Sequence, residues 1–373
     1  MNFVKFKICF DFFALSHKAL SRVYKRKLWG RRILAPDEKR LDSFCEKCYN
    51  KDRIGEGKSK KTPKTPKIPE IPEADTREGR NKPLTYTYRE LCRRLSACGV
   101  DNAEGEAALL LMHCCGLTNA ELPLLRHPLP GAEPVFESER LDAAVAQREA
   151  RVPLQYIFGT WDFFGLTLTV NEHCLVPRPD TELLVEQALA LLPENGRFLE
   201  LCTGSGCIPV ALCHTRPDLQ GVCTDLFPET VRLAESNAAR YDLSDRLQFC
   251  VADVFDSDFF RSGKGRALLP PQSVDLILSN PPYIPSSEIS ALAPEVQKEP
   301  KAALDGGADG LDFYRAILQN YGRFLRRGGA FALEIGFAQA EPLRSLAADM
   351  GGEIQIFRDL GGNDRVAVIH PGA

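Results

Sequence analysis

Phe198-Leu199-Glu200-Leu201-Cys202-Thr203-Gly204-Ser205-Gly206 reads as a short buried strand that runs straight into a glycine turn and, from Cys207, an apolar helix. A strand, a tight turn and a helix N-terminus together form the place where a doubly wound α/β fold binds a nucleotide-like ligand. Gly204 and Gly206 let the backbone approach that ligand, and the leading N–H groups of the helix can hold a carboxylate. One glycine turn is weak evidence, and acids at the next two strand ends strengthen it. Asp225 stands about 20 residues on, at the end of the next strand-like run, where a carboxylate suits two ribose hydroxyls. Asp253 ends a third run and can accept from an adenine amino group. A helix cap or a solvated loop acid explains either residue taken singly.

The fourth strand-like run, Val274–Ser279, delivers Asn280-Pro281-Pro282-Tyr283. Two consecutive prolines make a rigid, extended loop without N–H donors at Pro281 or Pro282. Such a loop offers a ligand carbonyl oxygens, the Asn280 amide and the face of Tyr283. It is suited to an NH2 group, whose two donors can be accepted by the Asn280 side-chain oxygen and a prolyl carbonyl. A plain proline turn accounts for these four residues alone; the glycine turn beside them favours the functional reading.

Outward from these motifs the chain alternates strand and helix. Strands are expected at 197–202, 221–225, 247–251, 274–279, 330–335, 353–357 and 365–369, and helices at 207–215, 228–240, 311–326 and 339–350. This order predicts a doubly wound, mainly parallel sheet. The six residues Asp359–Asp364 are too few for a crossover helix, so the last strand is expected antiparallel. Upstream, apolar residues at spacings of three and four (Tyr88, Leu91, Leu95; Ala107, Leu110, Leu111; Leu141, Ala144, Val145) predict about four short helices between 86 and 151, a small all-α bundle. Tyr156, Ile157, Phe163, Phe164, Leu166, Leu168 and Val170, around Gly159 and Gly165, predict a strand-rich hairpin. The expected domains are a basic extension and linker at 1–82, the bundle at 83–152, a hairpin connector at 153–176 and a catalytic domain at 177–373.

Charge divides the chain at the same point. Of 47 basic and 50 acidic residues, 22 and 11 lie in 1–82, a net +11 that leaves −14 for 83–373. An acidic body argues against specific nucleic-acid binding, while the basic extension permits a weak, salt-sensitive contact. The Lys- and Pro-rich run at 61–69 has a linker composition that buries no core. No apolar run approaches the roughly 18 residues that span a bilayer, so no membrane partner is expected. Thirteen cysteines without a regular framework suit a reducing compartment, the cytoplasm. Aromatic and basic residues alternating over 1–34 leave a mitochondrial presequence as the alternative. Cys45 and Cys48 are two of the four ligands a structural zinc needs, and no metal site is expected.

The order glycine turn, Asp225, Asp253, Asn280-Pro281-Pro282-Tyr283 resembles the S-adenosylmethionine-dependent methyltransferases that modify amino groups. Arg151-Val152-Pro153-Leu154-Gln155-Tyr156-Ile157, then Leu175-Val176-Pro177-Arg178-Pro179-Asp180-Thr181-Glu182, then Glu299-Pro300, Ala303-Leu304 and Gly310-Leu311 narrow the resemblance to the peptide chain release factor glutamine methyltransferases (PrmC/HemK), over residues 84–369. The resemblance implies a class I methyltransferase fold and S-adenosyl-L-methionine as cofactor. It also implies a release factor as protein partner, methylated on the glutamine of its Gly-Gly-Gln motif. Cys202, Thr203, Gly204, Ser205, Gly206, Asp225, Asp253, Val254 and Asn280 are then the cofactor residues. Asn280, Pro281 and Tyr283 are the catalytic ones, and with Pro282 they hold the substrate. Two positions depart from the family pattern, which usually has glycine at Cys202 and often an aromatic at Val254. Cysteine keeps the turn if its φ is negative, and Val254 packs on adenine without ring stacking. A ribosomal-protein glutamine methyltransferase shares the chemistry, a DNA adenine methyltransferase shares the proline loop, and a non-enzymatic binding module needs no Asn280.

Overall fold

The computed structural model describes residues 85–128, 134–261 and 263–372. The chain divides into Met1–Lys82 and Pro83–Ala373; the expectations for the extension, the linker and the Cys45/Cys48 pair lie outside the described residues.

The second unit begins with β1 (Thr85–Thr87), α1 (Tyr88–Ala97), α2 (Ala103–Cys115), α3 (Leu122–Arg126), β2 (Val135–Glu137) and α4 (Glu139–Glu149). Short polar side chains start three of the helices. Thr87, Asn102 and Ser138 each accept from the N–H three residues on, at 3.2, 3.1 and 3.4 Å, which satisfies donors the first turn leaves free. Leu91, Leu95, Leu110, Leu111, Leu141 and Val145 are fully buried and form the bundle core. The antiparallel pairing of β1 with β2, Thr85 opposite Glu137, is an addition to the expected bundle.

The connector differs from its expected form. Leu154–Phe158 is a helix, α5, and only β3 (Thr160–Phe163) and β4 (Leu166–Thr169) make the hairpin. Pro153 pre-sets the entry, its carbonyl accepts from Ile157 N–H at 3.2 Å, and Gly159 at φ +70° ends the helix. The hairpin turns through Phe164 and Gly165, both at positive φ, the geometry that matches strand twist.

A 3-10 turn at Pro179–Thr181 leads into α6 (Glu182–Leu191), after which the α/β alternation begins. Its elements are β5 (Arg197–Leu201), α7 (Cys207–Thr215), β6 (Gln220–Asp225), α8 (Pro228–Arg240), β7 (Leu247–Val251), α9 (Gly263–Leu268), β8 (Val274–Ser279), α10 (Asp312–Tyr321), β9 (Leu325–Glu334), α11 (Ala340–Asp349), β10 (Glu353–Arg358) and β11 (Asp364–His370). The sheet order is β10-β11-β9-β8-β5-β6-β7. Pairings among β5 to β9 are parallel; β11 runs antiparallel to β9 and β10. Two expected bounds shift most, the helix expected over 311–326 stopping at Tyr321 and β9 starting at Leu325 rather than at 330, and α9 lies in a stretch for which no element was expected. Leu276 and Leu278 pack with α6 and α7 on one face of the sheet, and Ile277 packs with α10 and α11 on the other. The alternation buries both faces. Among the described residues no helix is long and apolar enough to cross a membrane.

Strand order places the site. The chain goes outward from β5 through β6 and β7, then returns to the other side of β5 as β8. The carboxyl ends of β5 and β8 therefore flank the switch point where such sheets bind ligands. Register makes the contact close: Leu201 pairs with Ser279, whose hydroxyl donates to the Leu201 carbonyl at 2.6 Å. Cys202 and Asn280, far apart in sequence, each follow one member of that pair.

Candidate active site

A pocket of about 380 Å³ opens at these strand ends. Of the residues expected at the site, Cys202, Thr203, Gly204, Ser205, Asp225, Asp253, Val254, Asn280 and Pro282 line it. Gly206, Pro281 and Tyr283 are not among its lining residues.

The glycines do different work. A Cβ on Gly204 would meet nothing within 4 Å, while on Gly206 it would meet the Ala234 Cβ at 3.0 Å. Gly204 therefore leaves a face of the turn open to a ligand, and Gly206 allows α8 to pack against it. Both have positive φ, and so does Cys202, at +60°. The condition set for cysteine at this position is not met: the thiol is carried in a left-handed conformation that disfavours a side chain by about 1–2 kcal/mol. Thr203 N–H donates to the Thr224 carbonyl at 2.9 Å, and the Asp225 carboxylate accepts from Gly204 N–H at 2.9 Å. Strand β6 thus holds the turn. Burial pushes the Asp225 carboxyl up, and the N–H bonds from Gly204 and Phe227 oppose that. Each Asp225 oxygen carries one backbone bond and keeps a lone pair for a ligand hydroxyl. Asp253 Oδ1 accepts from Phe255 N–H at 2.9 Å, a loop-stabilising bond that leaves the other oxygen to the pocket.

The sequence reading missed the aromatic wall. Val254 is buried, its carbonyl accepting from Tyr321, whereas Phe255 is half exposed and stacks edge-on against Phe313 at 4.9 Å; both rings line the pocket. Phe255 sits in a loop just after Asp253 and Val254, and no periodicity marks such a ring as a ligand platform. At the opposite end, α7 starts at Gly206 without a side-chain cap. The Ser205 hydroxyl beside it is buried next to the Cys207 thiol and makes no hydrogen bond of ordinary geometry among the described residues.

The stretch 175–182 is a chain of ties. Val176 N–H donates to Glu299 Oε2 at 2.9 Å, and the Arg178 guanidinium pairs with Glu299 Oε1. Asp180 meets Arg365 at 3.4 Å, and Glu182 accepts from Phe164 N–H at 2.9 Å. The Thr181 hydroxyl oxygen accepts from Asn280 Nδ2 at 3.3 Å. One wall of the pocket is thereby pinned to the loop after Tyr283, and the Asn280 amide is turned so that its oxygen is free. Among the described residues none donates to the Pro281 carbonyl. Tyr283 directs its hydroxyl to Glu334 Oε1 at 3.4 Å, and its carbonyl accepts from Gln339 at 2.9 Å.

Residues 87–159 match the model of the PrmC N-terminal domain and residues 179–309 that of the methyltransferase small domain. The release factor glutamine methyltransferase of Cereibacter sphaeroides is 41% identical over 275 residues, which cover 73% of this chain and 93% of that protein. The chain belongs to the release factor glutamine methyltransferase family. Its similarity to the family's protein from Rhodospirillum rubrum is 40% identity over 276 residues, 73% of this chain and 80% of that one. To the Geobacter sulfurreducens protein it is 38% over 278 residues, 72% and 91%. The family match spans both the bundle and the sheet, and the fold is the class I methyltransferase fold expected from the sequence.

Proposed function

We propose that this chain uses S-adenosyl-L-methionine to methylate the side-chain amide nitrogen of the glutamine in the Gly-Gly-Gln motif of a peptide chain release factor, in the cytoplasm. The observation that carries the reading is Asn280 on the pocket wall, its Nδ2 engaged by Thr181 and its oxygen unengaged.

The residues present suit the cofactor. The two free lone pairs of Asp225 match a pair of ribose hydroxyls, the Phe255 and Phe313 rings and Val254 offer a base an apolar slot, and the free oxygen of Asp253 matches an amino group. The buried Ser205 hydroxyl and the uncapped start of α7 suit a carboxylate. When bound, S-adenosylmethionine supplies a methyl group on a sulfonium.

The chain's own residues prepare the nucleophile. An amide nitrogen is poor in this role because its lone pair is delocalised into the carbonyl. Asn280 Oδ1 and the Pro281 carbonyl, accepting one N–H each, hold that nitrogen with its lone pair directed into the pocket. Positioning of this kind contributes effective molarities on the order of 10^5 M or more. Positive charge developing on nitrogen strengthens both hydrogen bonds, so they favour the transition state over the ground state. No strong base is required: the N-methylated amide cation that would form is a strong acid and loses one of its two N–H protons to water, giving the neutral N-methyl amide. The acidic body, net −14 over 83–373, counts against a duplex DNA substrate.

Mass spectrometry of a release factor incubated with the enzyme and cofactor is expected to place one methyl group on the Gly-Gly-Gln glutamine. Label on DNA adenine and none on the release factor would overturn the reading.

Asp225→Ala is expected to weaken S-adenosylmethionine binding about tenfold or more, since a charge-assisted contact is worth roughly 1.5–3 kcal/mol. Titration calorimetry with unchanged affinity would place the nucleoside elsewhere. Cys202→Gly relieves the left-handed cysteine, and glycine returns part of that gain as unfolded-state entropy, leaving about 0.5–1 kcal/mol of added stability. Denaturant unfolding measures it, and cofactor affinity should be equal or tighter. A large loss of binding would give the thiol a contact of its own.

A further inference from the structure

We infer that Thr181 and Glu334 are positioning residues that set which way the Asn280 amide faces; the inference rests on the function proposed above and deepens it.

Thr181 is 2% exposed and Glu334 is 1% exposed. A hydroxyl has one hydrogen to donate and two lone pairs. Asn280 Nδ2 occupies one lone pair of Thr181. The Glu334 carboxyl takes Tyr283 on Oε1 and keeps Oε2 buried and unpartnered. The Thr181 hydroxyl lies next to this carboxyl and lowers its proton affinity. With Glu334 ionised, its unpartnered Oε2 draws the hydrogen of the neighbouring Thr181 hydroxyl, and Thr181 then accepts from Asn280. The amide nitrogen of Asn280 must then face Thr181 and its oxygen must face the substrate. With Glu334 protonated, the carboxyl can donate to Thr181, the hydroxyl can donate onward, and the flipped amide becomes equally good. A flipped Asn280 presents NH2 to an NH2 group, which excludes the substrate.

The groups facing Glu334 are Asp180, Cys207 of α7, Tyr283, Tyr314 of α10 and Arg365 of β11. Arg365 spends its guanidinium on Asp180 and Asp359, and among the described residues Glu334 has no direct ion pair. Burial pushes its carboxyl up to about 7. The switch between the two amide orientations therefore falls at neutral pH.

The test compares Thr181→Val, Thr181→Ser and Glu334→Gln in the full chain, with release factor as methyl acceptor. Thr181→Val, which keeps shape and loses the hydroxyl, is expected to lower kcat by roughly 10- to 100-fold, the range for an orphaned buried polar group. S-adenosylmethionine affinity should stay within about threefold, and Thr181→Ser should restore most of the rate. In the wild type kcat should rise with pH through about 7, and in Glu334→Gln that limb should vanish. A serine variant as slow as the valine variant, or a limb unchanged in Glu334→Gln, would overturn the inference. The side-chain amide resonance of Asn280, assigned by its loss in Asn280→Ala, gives a readout independent of methyl transfer. It should titrate with the same midpoint in the wild type and stay fixed in Glu334→Gln. A wild type that labels no release factor yet shows this titration would sink the proposed substrate and leave the inference standing; a flat Asn280 resonance would sink the inference.

Discussion

Asn280→Ala is expected to abolish turnover, by a factor on the order of 10^2–10^3 or more, the range seen when one preorganised hydrogen-bonding group is removed from a reacting centre. Cofactor affinity should stay within a few-fold, because the lost interaction matters most in the transition state. Structure sharpens the expectation. Asn280 follows Ser279, which is fixed to β5 through the Leu201 carbonyl, and the side chain is aimed by Thr181. Truncation therefore removes an acceptor without loosening the strand that carries it. Single-turnover methylation of a release factor measures the loss, and calorimetry with S-adenosylmethionine measures the retained binding. Full activity in the variant would remove the amide from the mechanism.

The second large effect is on stability. The Arg148 side chain, 3% exposed, is bonded to Glu106 and, at 2.6 Å, to Glu295; Arg151 reaches the same Glu295 at 2.7 Å. Arg148 belongs to α4 of the bundle, Glu295 to the segment that follows the proline loop. Arg148→Ala would leave Glu106 and Glu295 short of a partner in a site that is largely closed to water. Breaking such a network costs about 3–5 kcal/mol. Both glutamates keep some solvent, so the lower end is expected, a fall in melting temperature of roughly 6–10 °C. Calorimetric melting tests this, and a midpoint within a degree of the wild type would show that bundle and catalytic segment are not coupled. Arg148→Met, which keeps the packing, separates lost charge from lost volume.

Both expectations combine what could be read along the chain with what could not. The α/β alternation was legible because burial on two sheet faces imposes runs such as Val274–Ser279, and the glycine turn was legible because Gly204 and Gly206 are punctuation. Local rules misled at 154–158. Tyr156 and Ile157 favour strands, yet Pro153 and Gly159 bracket a single helical turn and the caps win over propensity. Cys202 is a further case: its residue type argues for negative φ, but the turn between β5 and α7 demands +60° whatever stands there. Phe255 escaped notice because a ring beside a ligand and a ring on a loop have the same sequence context. The polar ties escaped for another reason. Thr181 with Asn280, Val176 and Arg178 with Glu299, and Arg148 with Glu295 join residues 99 to 147 positions apart. Nothing in a local window announces such a partner.

The Glu299 latch also sets an order of events. The wall made by Val176 and Arg178 leaves the ribosome long before the carboxylate that secures it, 123 and 121 residues later. A chain halted after β7 already owns the glycine turn, Asp225 and Asp253, yet has neither latch nor Asn280. Contacts of such long range form late, after the entropy of closing the intervening loop has been met. Nascent chains of increasing length should therefore retain the cofactor only once residue 299 has emerged.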